Sequence, residues 1–364
     1  MSNEKANLFV RTLKNGNPVF VPAGGLRETY APLVGGSQEK PEWIDWDEDG
    51  DIDLLTGEAR GRIHLYENIG TRKFPKFKSP EWIQANGEQI RIYRDGVFGG
   101  EHWHGAMGYP SAACIDWDID GLFDLVVPNE TNRVYWYRNI GTRGKPEFGK
   151  RRQILPDGFT DSPDRLEQTR HAALDPKREN HPYPYENDIP FFWRTRLAIA
   201  DYTGDGLVDI VALNGMKNLV LYERYQDSKG ELRLRHGKQL YYDTGDPVER
   251  PHFFKFRNID WNGDGLMDIV VTQNLFSSDK RSILLLKNTG TPEMPVFERP
   301  RAFRMWDRVI TYSSHGLQPS FTDWDGDGSI DFIGCNESGF FVLFRNAVLT
   351  AEKPRVYTGM PVKW

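Results

Sequence analysis

Short carboxylates alternating with other residues recur five times in this 364-residue chain. The five stretches are Asp45-Trp-Asp-Glu-Asp-Gly-Asp-Ile-Asp53, Asp116-Trp-Asp-Ile-Asp-Gly-Leu-Phe-Asp124, Asp201-Tyr-Thr-Gly-Asp-Gly-Leu-Val-Asp209, Asp260-Trp-Asn-Gly-Asp-Gly-Leu-Met-Asp268 and Asp323-Trp-Asp-Gly-Asp-Gly-Ser-Ile-Asp331. Aspartate always fills positions 1, 5 and 9 and glycine position 6, while position 2 is aromatic and position 8 apolar. Oxygens at positions 1, 3, 5 and 9, with a backbone carbonyl at 7, can wrap one hard cation, and the glycine permits the sharp turn this needs. Six to eight oxygens at about 2.3–2.6 Å in a flexible cage suit calcium better than magnesium. The expected ligands are Asp45, Asp47, Asp49 and Asp53; Asp116, Asp118, Asp120 and Asp124; Asp201, Thr203, Asp205 and Asp209; Asp260, Asn262, Asp264 and Asp268; and Asp323, Asp325, Asp327 and Asp331. The loops with Thr203 and Asn262 at position 3 are expected to bind more weakly, the threonine loop most weakly. No glutamate stands at position 12 and no helix flanks the loops, so they are not EF-hands. With every ligand position filled by protein, up to five calcium ions would serve as structural staples.

The segments around these loops must be strands. An apolar run follows each position 9, as in Leu125-Val-Val127 and Ile269-Val-Val271, and a turn leads to a second run such as Val134-Tyr-Trp-Tyr137. Three repeats then close with Asn-x-Gly-Thr, beginning at Asn68, Asn139 and Asn288, ahead of a run holding proline and phenylalanine. Runs of four to six β-branched or aromatic residues bounded by Gly, Asn and Asp read as strands, and no amphipathic helix stands out. The chain is expected to be all-β. First aspartates at 45, 116, 201, 260 and 323 give spacings of 71, 85, 59 and 63 residues. Each repeat therefore has room for the roughly 40–50 residues of one propeller blade, with the spare length in long loops at about 84–108 and 150–192.

The loops and the runs after them resemble the FG-GAP or VCBS repeat family, the calcium-loop β-propellers also found in integrin α-subunit heads. The resemblance spans about residues 33–346. It implies one β-propeller over 1–364, with calcium in the loop joining the first two strands of each blade. Five blades are marked, and the total is expected to lie between five and seven. Residues 8–20 resemble the later strands of a repeat and would close the ring with a C-terminal strand near Val356.

Equivalent positions in successive blades converge on a propeller axis. Five residues before each loop stand Lys40, Ser111, Arg196, Lys255 and Gln318; eight before stand Ser37, Gly108, Trp193, His252 and His315. Lys40, Arg194, Arg196, Lys255, Gln318 and Trp193 are thus candidates to bind a ligand at the channel mouth. Alternatively, the polar ones pair with one another and with channel water. The stretch Gly99-Gly-Glu-His-Trp-His-Gly-Ala-Met-Gly-Tyr109 adds His102 and His104. These two could flank a substrate or share a further metal, although zinc needs a third and fourth ligand. A third candidate is the Pro-rich insert with His171, His181, Tyr183, Tyr185 and Glu186, whereas His64 and His236 read as structural.

Two functions fit. One is a lyase cleaving a uronic-acid polysaccharide by β-elimination, as some lyases resembling this chain do. A cation such as Arg196 or Lys255 would neutralise the uronate, His104, His252 or His315 would take the C5 proton, and Tyr109 would protonate the leaving oxygen. Histidine near its ordinary pKa of about 6.5 suits such transfer. The other is a non-catalytic, lectin-like or adhesion propeller, for which 11 Trp and 15 Tyr provide stacking faces. Glu39 and Glu101 are not singled out as the opposed pair a glycoside hydrolase needs. A net charge of -6 argues against a nucleic-acid partner. No run reaches the roughly 18 apolar residues of a membrane span, and two cysteines cannot build a disulfide framework. The N-terminus has no apolar signal core; the resemblance and the use of calcium imply an extracellular or periplasmic setting. The partner expected is an acidic polysaccharide or another glycan, with the oligomeric state open.

Overall fold

The computed structural model describes residues 8–14, 17–24, 39–94, 106–131, 133–160, 190–192, 196–249, 254–273, 283–305, 308–309, 318–324, 326, 330–335 and 341–344. Every element delimited among them is a strand, and no helix among them is long and apolar enough to cross a membrane. A hairpin of β1 (Leu8–Lys14) and β2 (Asn17–Gly24) comes first, its strands antiparallel. The first repeat then forms the sheet β3 (Lys40–Ile44), β4 (Asp53–Gly57), β5 (Ile63–Tyr66) and β6 (Glu81–Trp82). After a second hairpin, β7 (Gln84–Ala85) and β8 (Glu88–Gln89), the second repeat gives β9 (Ala113–Ile115), β10 (Asp124–Pro128), β11 (Val134–Tyr137) and β12 (Arg152–Ile154).

The third repeat contributes β13 (Ala198–Ala200), β14 (Asp209–Leu213) and β15 (Leu219–Tyr222), then a hairpin of β16 (Arg224–Gln226) and β17 (Leu232–Leu234), and finally its outer strand β18 (Lys238–Gln239). β19 (Tyr241–Tyr242) runs parallel to β23 (Val296–Phe297) of the fourth repeat, whose sheet is β20 (Phe254–Ile259), β21 (Asp268–Gln273), β22 (Ile283–Leu286) and β24 (Arg301–Ala302). A short pair, β25 (Arg304–Met305) and β26 (Arg308–Val309), precedes the three-stranded sheet of the fifth repeat, β27 (Gln318–Thr322), β28 (Asp331–Cys335) and β29 (Phe341–Phe344). The molecule is all-β, with four four-stranded antiparallel sheets in a propeller-like arrangement.

The sequence pattern explains this packing. Each second strand starts at position 9 of its loop, and β4, β10 and β14 are buried at every residue. A continuous apolar run such as Leu125-Val-Val127 suits a strand covered on both faces. Burying each Val, Leu or Ile contributes roughly 1.5–3 kcal/mol. The aromatic at position 2 then fills the gap to the next sheet. Trp46 lies 5.9 Å from the ring of Phe148 in the second repeat. Trp117 clusters with Ile199 and Ile210, and Tyr202 with Ile269 and Phe297. Trp324 of the fifth repeat clusters with Leu54, Tyr66 and Phe77 of the first.

Asn-x-Gly-Thr has a physical reason. Asn68 Oδ1 accepts from the backbone N–H of Gly70 at 3.0 Å and of Lys76 at 2.8 Å, while its Nδ2 donates to the Ile52 carbonyl at 3.3 Å. Asn139 and Asn288 repeat the pattern on Phe123 and Met267. The asparagine thus ties the turn after the third strand to the acidic loop. In the third repeat Arg224 takes its place and reaches the neighbouring sheet, its guanidinium 3.6 Å from the centre of the Trp117 ring.

Both expected long loops hold strands. Residues 84–89 form the β7–β8 hairpin, because Asn86 and Gly87 take φ of 52° and 78°, the left-handed pair of a two-residue turn. Residues 152–154 are the outer strand β12 of the second sheet; 161–189, including His171, His181, Tyr183, Tyr185 and Glu186, lie outside the described residues.

Candidate metal centres and the propeller axis

Backbone geometry pre-forms the acidic loops. The position 6 glycines Gly50, Gly121, Gly206 and Gly265 have φ of 95°, 87°, 85° and 86°, and their N–H groups donate to the first aspartate, at 3.1 Å for Asp45 and 2.9 Å for Asp116. Position 5 accepts from the N–H of position 7, as Asp49 does from Asp51 at 3.0 Å. Position 4 is also left-handed, with Glu48 at 59° and Ile119 at 63° where other loops place glycine. In consequence Asp45, Asp47 and Asp49 bring ligand oxygens within 4.8 Å of one another, as do Asp116, Asp118 and Asp120. Oδ1 atoms of Asp45, Asp47, Asp51, Asp118 and Asn262 are buried without a hydrogen-bond partner. Such orphaned acceptors are costly, and their position inside the loops fits a cation.

Position 9 does something the spacing did not suggest. Asp53 accepts from the N–H of Trp46 at 2.8 Å and of Asn68 at 2.6 Å, one on each oxygen. Asp124 binds Trp117 N, Asn139 N and the Trp136 indole at 3.2, 2.6 and 2.9 Å. Asp209 and Asp268 hold the ends of their own loops and third strands in the same way; Asp331 accepts from Trp324 N at 3.1 Å. These carboxylates lock loop to sheet. Burial pushes their carboxyls up, to about 7 for Asp53 and Asp268 and about 6 for Asp124 and Asp209, against the lowering by those backbone N–H bonds.

The loops differ in the groups beside them. In the first, Asp51 at position 7 adds a carboxylate, raised to about 6 by burial and by Asp49, Asp47 and Asp45. Glu67 adds to the repulsion at Asp47. In the second, Arg138 leans over the cluster, with Nε 2.5 Å from Asp118 and Nη2 2.9 Å from Asp120. Thr203 of the third loop turns to Asp209, its hydroxyl donating at 3.2 Å, and Asn262 of the fourth donates to Asp264 at 2.6 Å. Asp325 and Asp327 lie outside the described residues.

At the axis, Lys40, Arg196 and Lys255 are brought to the starts or flanks of inner strands and are buried at 2%, 0% and 9% exposure, as is Ser111 at 2%. They do not form a bare cationic ring. Glu42 on β3 is the hub. Arg257 on β20 donates to it, Arg196 lies 3.8 Å from it and donates to the Pro41 carbonyl at 2.8 Å, and the Ser320 hydroxyl of β27 is 3.5 Å away. Burial raises the Glu42 carboxyl, opposed by Arg257 and by a backbone bond from Cys114 on β9. One carboxylate on β3 therefore gathers groups from β9, β20 and β27 and from Arg196, two residues before β13. Lys40 donates to the Tyr109 carbonyl and sits 5.0 Å over its ring. Beside this, Thr56 donates to Glu39 at 2.6 Å, and His64 Nε2 lies 3.9 Å from Glu39. That separation is too long for a hydrogen bond, and burial with Arg62 nearby lowers His64 to about 4, so it is neutral. Cys114 and Cys335 are free thiols, and burial pushes both up.

Of the proposed catalytic groups, Tyr109 is buried with φ of 44°; His104, His252 and His315 lie outside the described residues, as do His102, Trp193 and Arg194. Gln318 begins β27 and its side chain is not described.

No curated protein matches the chain. Among solved structures, a GH43 β-1,3-galactosidase with galactodeoxynojirimycin is similar at 9% identity, with 88% of this chain and 93% of that one covered and a TM-score of 0.47. AofleA from Arthrobotrys oligospora is similar at 10% identity, covering 96% of this chain and 77% of that one, with a TM-score of 0.43. Residues 260–334 match the FG-GAP-like repeat, a span that encloses the fourth and fifth acidic loops and runs into β28. That match and the propeller-like sheets together support an FG-GAP β-propeller.

Proposed function

We propose that this protein is a five-bladed, calcium-stapled propeller that binds an acidic glycan outside the cytoplasm, without chemistry at its axis. The packing of Trp324 on the first sheet supports counting β27–β29 as the fifth blade. Asp45, Asp47, Asp49 and Asp51 of the first loop, and positions 1, 3 and 5 of the others with the carbonyl of position 7, would hold the ions. Calcium there supplies positive charge that relieves the mutual repulsion and burial now raising Asp47 and Asp51.

One observation supports binding over the lyase reading. Both cations named for the uronate are buried: Arg196 is committed to Glu42 and Pro41, and Lys255 is only 9% exposed. A buried arginine at 0% exposure cannot meet a polymer without breaking that pairing. The test is incubation with polygalacturonate and calcium, measuring retained polymer and ultraviolet absorbance of unsaturated product together. Retention without product is expected. Product that vanishes in Tyr109→Phe would restore the lyase, and neither retention nor product would sink both readings.

A further inference from the structure

A groove of about 440 Å³ opens between the β7–β8 hairpin and the end of the second repeat, lined among others by Arg91, Tyr93, Tyr137, Lys150 and Arg151. Its size lies within the roughly 300–1,000 Å³ of small-molecule sites. Both walls are fixed by backbone. Asn86 N–H donates to the Phe148 carbonyl at 2.7 Å, Ala85 bridges Phe148, and Arg91 bridges Arg62 of the first repeat. A similar hairpin, β25–β26, follows the outer strand of the fourth repeat, so the side chains rather than the hairpin itself set this groove apart.

Three cations, Arg91, Lys150 and Arg151, face one carboxylate, Glu88, in a chain whose net charge is -6. The Arg91 guanidinium lies 4.5 Å over Tyr93, and that of Arg151 4.8 Å over Tyr135. A guanidinium stacked on a ring keeps its N–H groups in its own plane, directed along the edge where a planar carboxylate can take two of them. All three cations are exposed, and Arg151 also hydrogen-bonds the Tyr137 side chain in the groove wall. The aromatic Tyr93 beside them is half-buried and offers a stacking surface.

We infer that this groove binds the carboxylate of an acidic saccharide, with Arg91 and Arg151 on the carboxylate, Lys150 adding charge and tyrosine against the ring. The choice of a saccharide rests on the acidic-glycan reading above; the anion preference rests on the groove alone. The test uses calorimetry with galacturonate, trigalacturonate and neutral galactose, on the wild type and on the Arg91→Gln/Lys150→Gln double variant. Both residues are exposed, and an unchanged melting temperature shows the variant folded. Binding of galacturonate but not galactose, weakened by salt and by about ten- to hundredfold in the variant, is expected for charge-assisted contacts. Wild type that binds no galacturonate, or galactose equally well, overturns the inference. A variant that binds trigalacturonate as the wild type does sinks the groove and leaves glycan binding standing elsewhere. Wild type that binds galacturonate here yet retains no polymer keeps the groove and sinks the polymer reading.

Discussion

Two residues decide what the axis is for. Glu42 is one carboxylate facing Arg196 and Arg257, at 0% and 7% exposure. Removing one partner of a buried pair leaves uncompensated charge and costs about 3–5 kcal/mol. Glu42→Ala should therefore lower stability by about that amount in urea unfolding, with Glu42→Gln losing less because an acceptor remains. A variant as stable as the wild type would show that the hub holds nothing together. His64 carries a pH dependence. Glu39, Arg62, Trp82 and Tyr66 face it, the Trp82 ring at 4.3 Å. Its folded pKa of about 4 lies below the ordinary 6.5, so the unfolded chain takes up the proton first as pH falls. The contribution is complete above 6.5 and drains away between 6.5 and 4, about 3 kcal/mol in all. Wild type should lose that much more than His64→Phe over this window; parallel curves would mean the imidazole is already charged in the fold.

The acidic loop and its sheet were legible as one element, because Asp, Gly and an aromatic at fixed offsets leave few other structures. What position 9 does was not legible. A carboxylate that ligates and one that accepts backbone N–H look alike in sequence, and only the register of Asp53 against Asn68 distinguishes them. The β7–β8 hairpin was missed although Asn86-Gly87 announces it, since its flanks are short and polar rather than alternating apolar. At the axis the alignment singled out Lys40, Arg196 and Lys255, whereas Glu42, two residues further along β3 than Lys40, drew no notice. The order of loop affinities also changes. Four aspartates made the second loop look as strong as the first, yet Arg138 already neutralises Asp118 and Asp120. A guanidinium and a divalent ion compete for the same oxygens, so Arg138→Gln should raise terbium affinity of this loop severalfold, read by luminescence sensitised from Trp117. A loss of affinity would mean that Arg138 orders the loop instead of competing.

At the scale of the molecule, each loop joins the two innermost strands of its sheet, so a cation in the loop stabilises the contact between strand and ring. Orphaned buried oxygens occur in the first, second and fourth loops, at Asp45, Asp47, Asp51, Asp118 and Asn262. Ions bound only by the folded state stabilise it by RT ln(1 + [L]/Kd), about 2.7 kcal/mol per site at a hundredfold excess over Kd. Sites that fill together add their slopes, so the dependence of stability on ln[Ca²⁺] counts them. We expect a slope of at least three ions, a matching mass increase in native mass spectrometry, and a melting temperature that falls when a chelator is added. Charge gives an independent reading. Five Ca²⁺ would move the formal charge from -6 to +4, so the apparent isoelectric point should climb from about 5.8 toward the basic side as calcium rises. Such a reversal brings the ring toward an acidic polymer without net repulsion, and polymer retention should therefore rise with calcium even for a ligand that touches no ion. A melting temperature and mass indifferent to calcium would leave the pre-formed acidic loops with no cation to hold, and the staple would have to be their backbone hydrogen bonds alone.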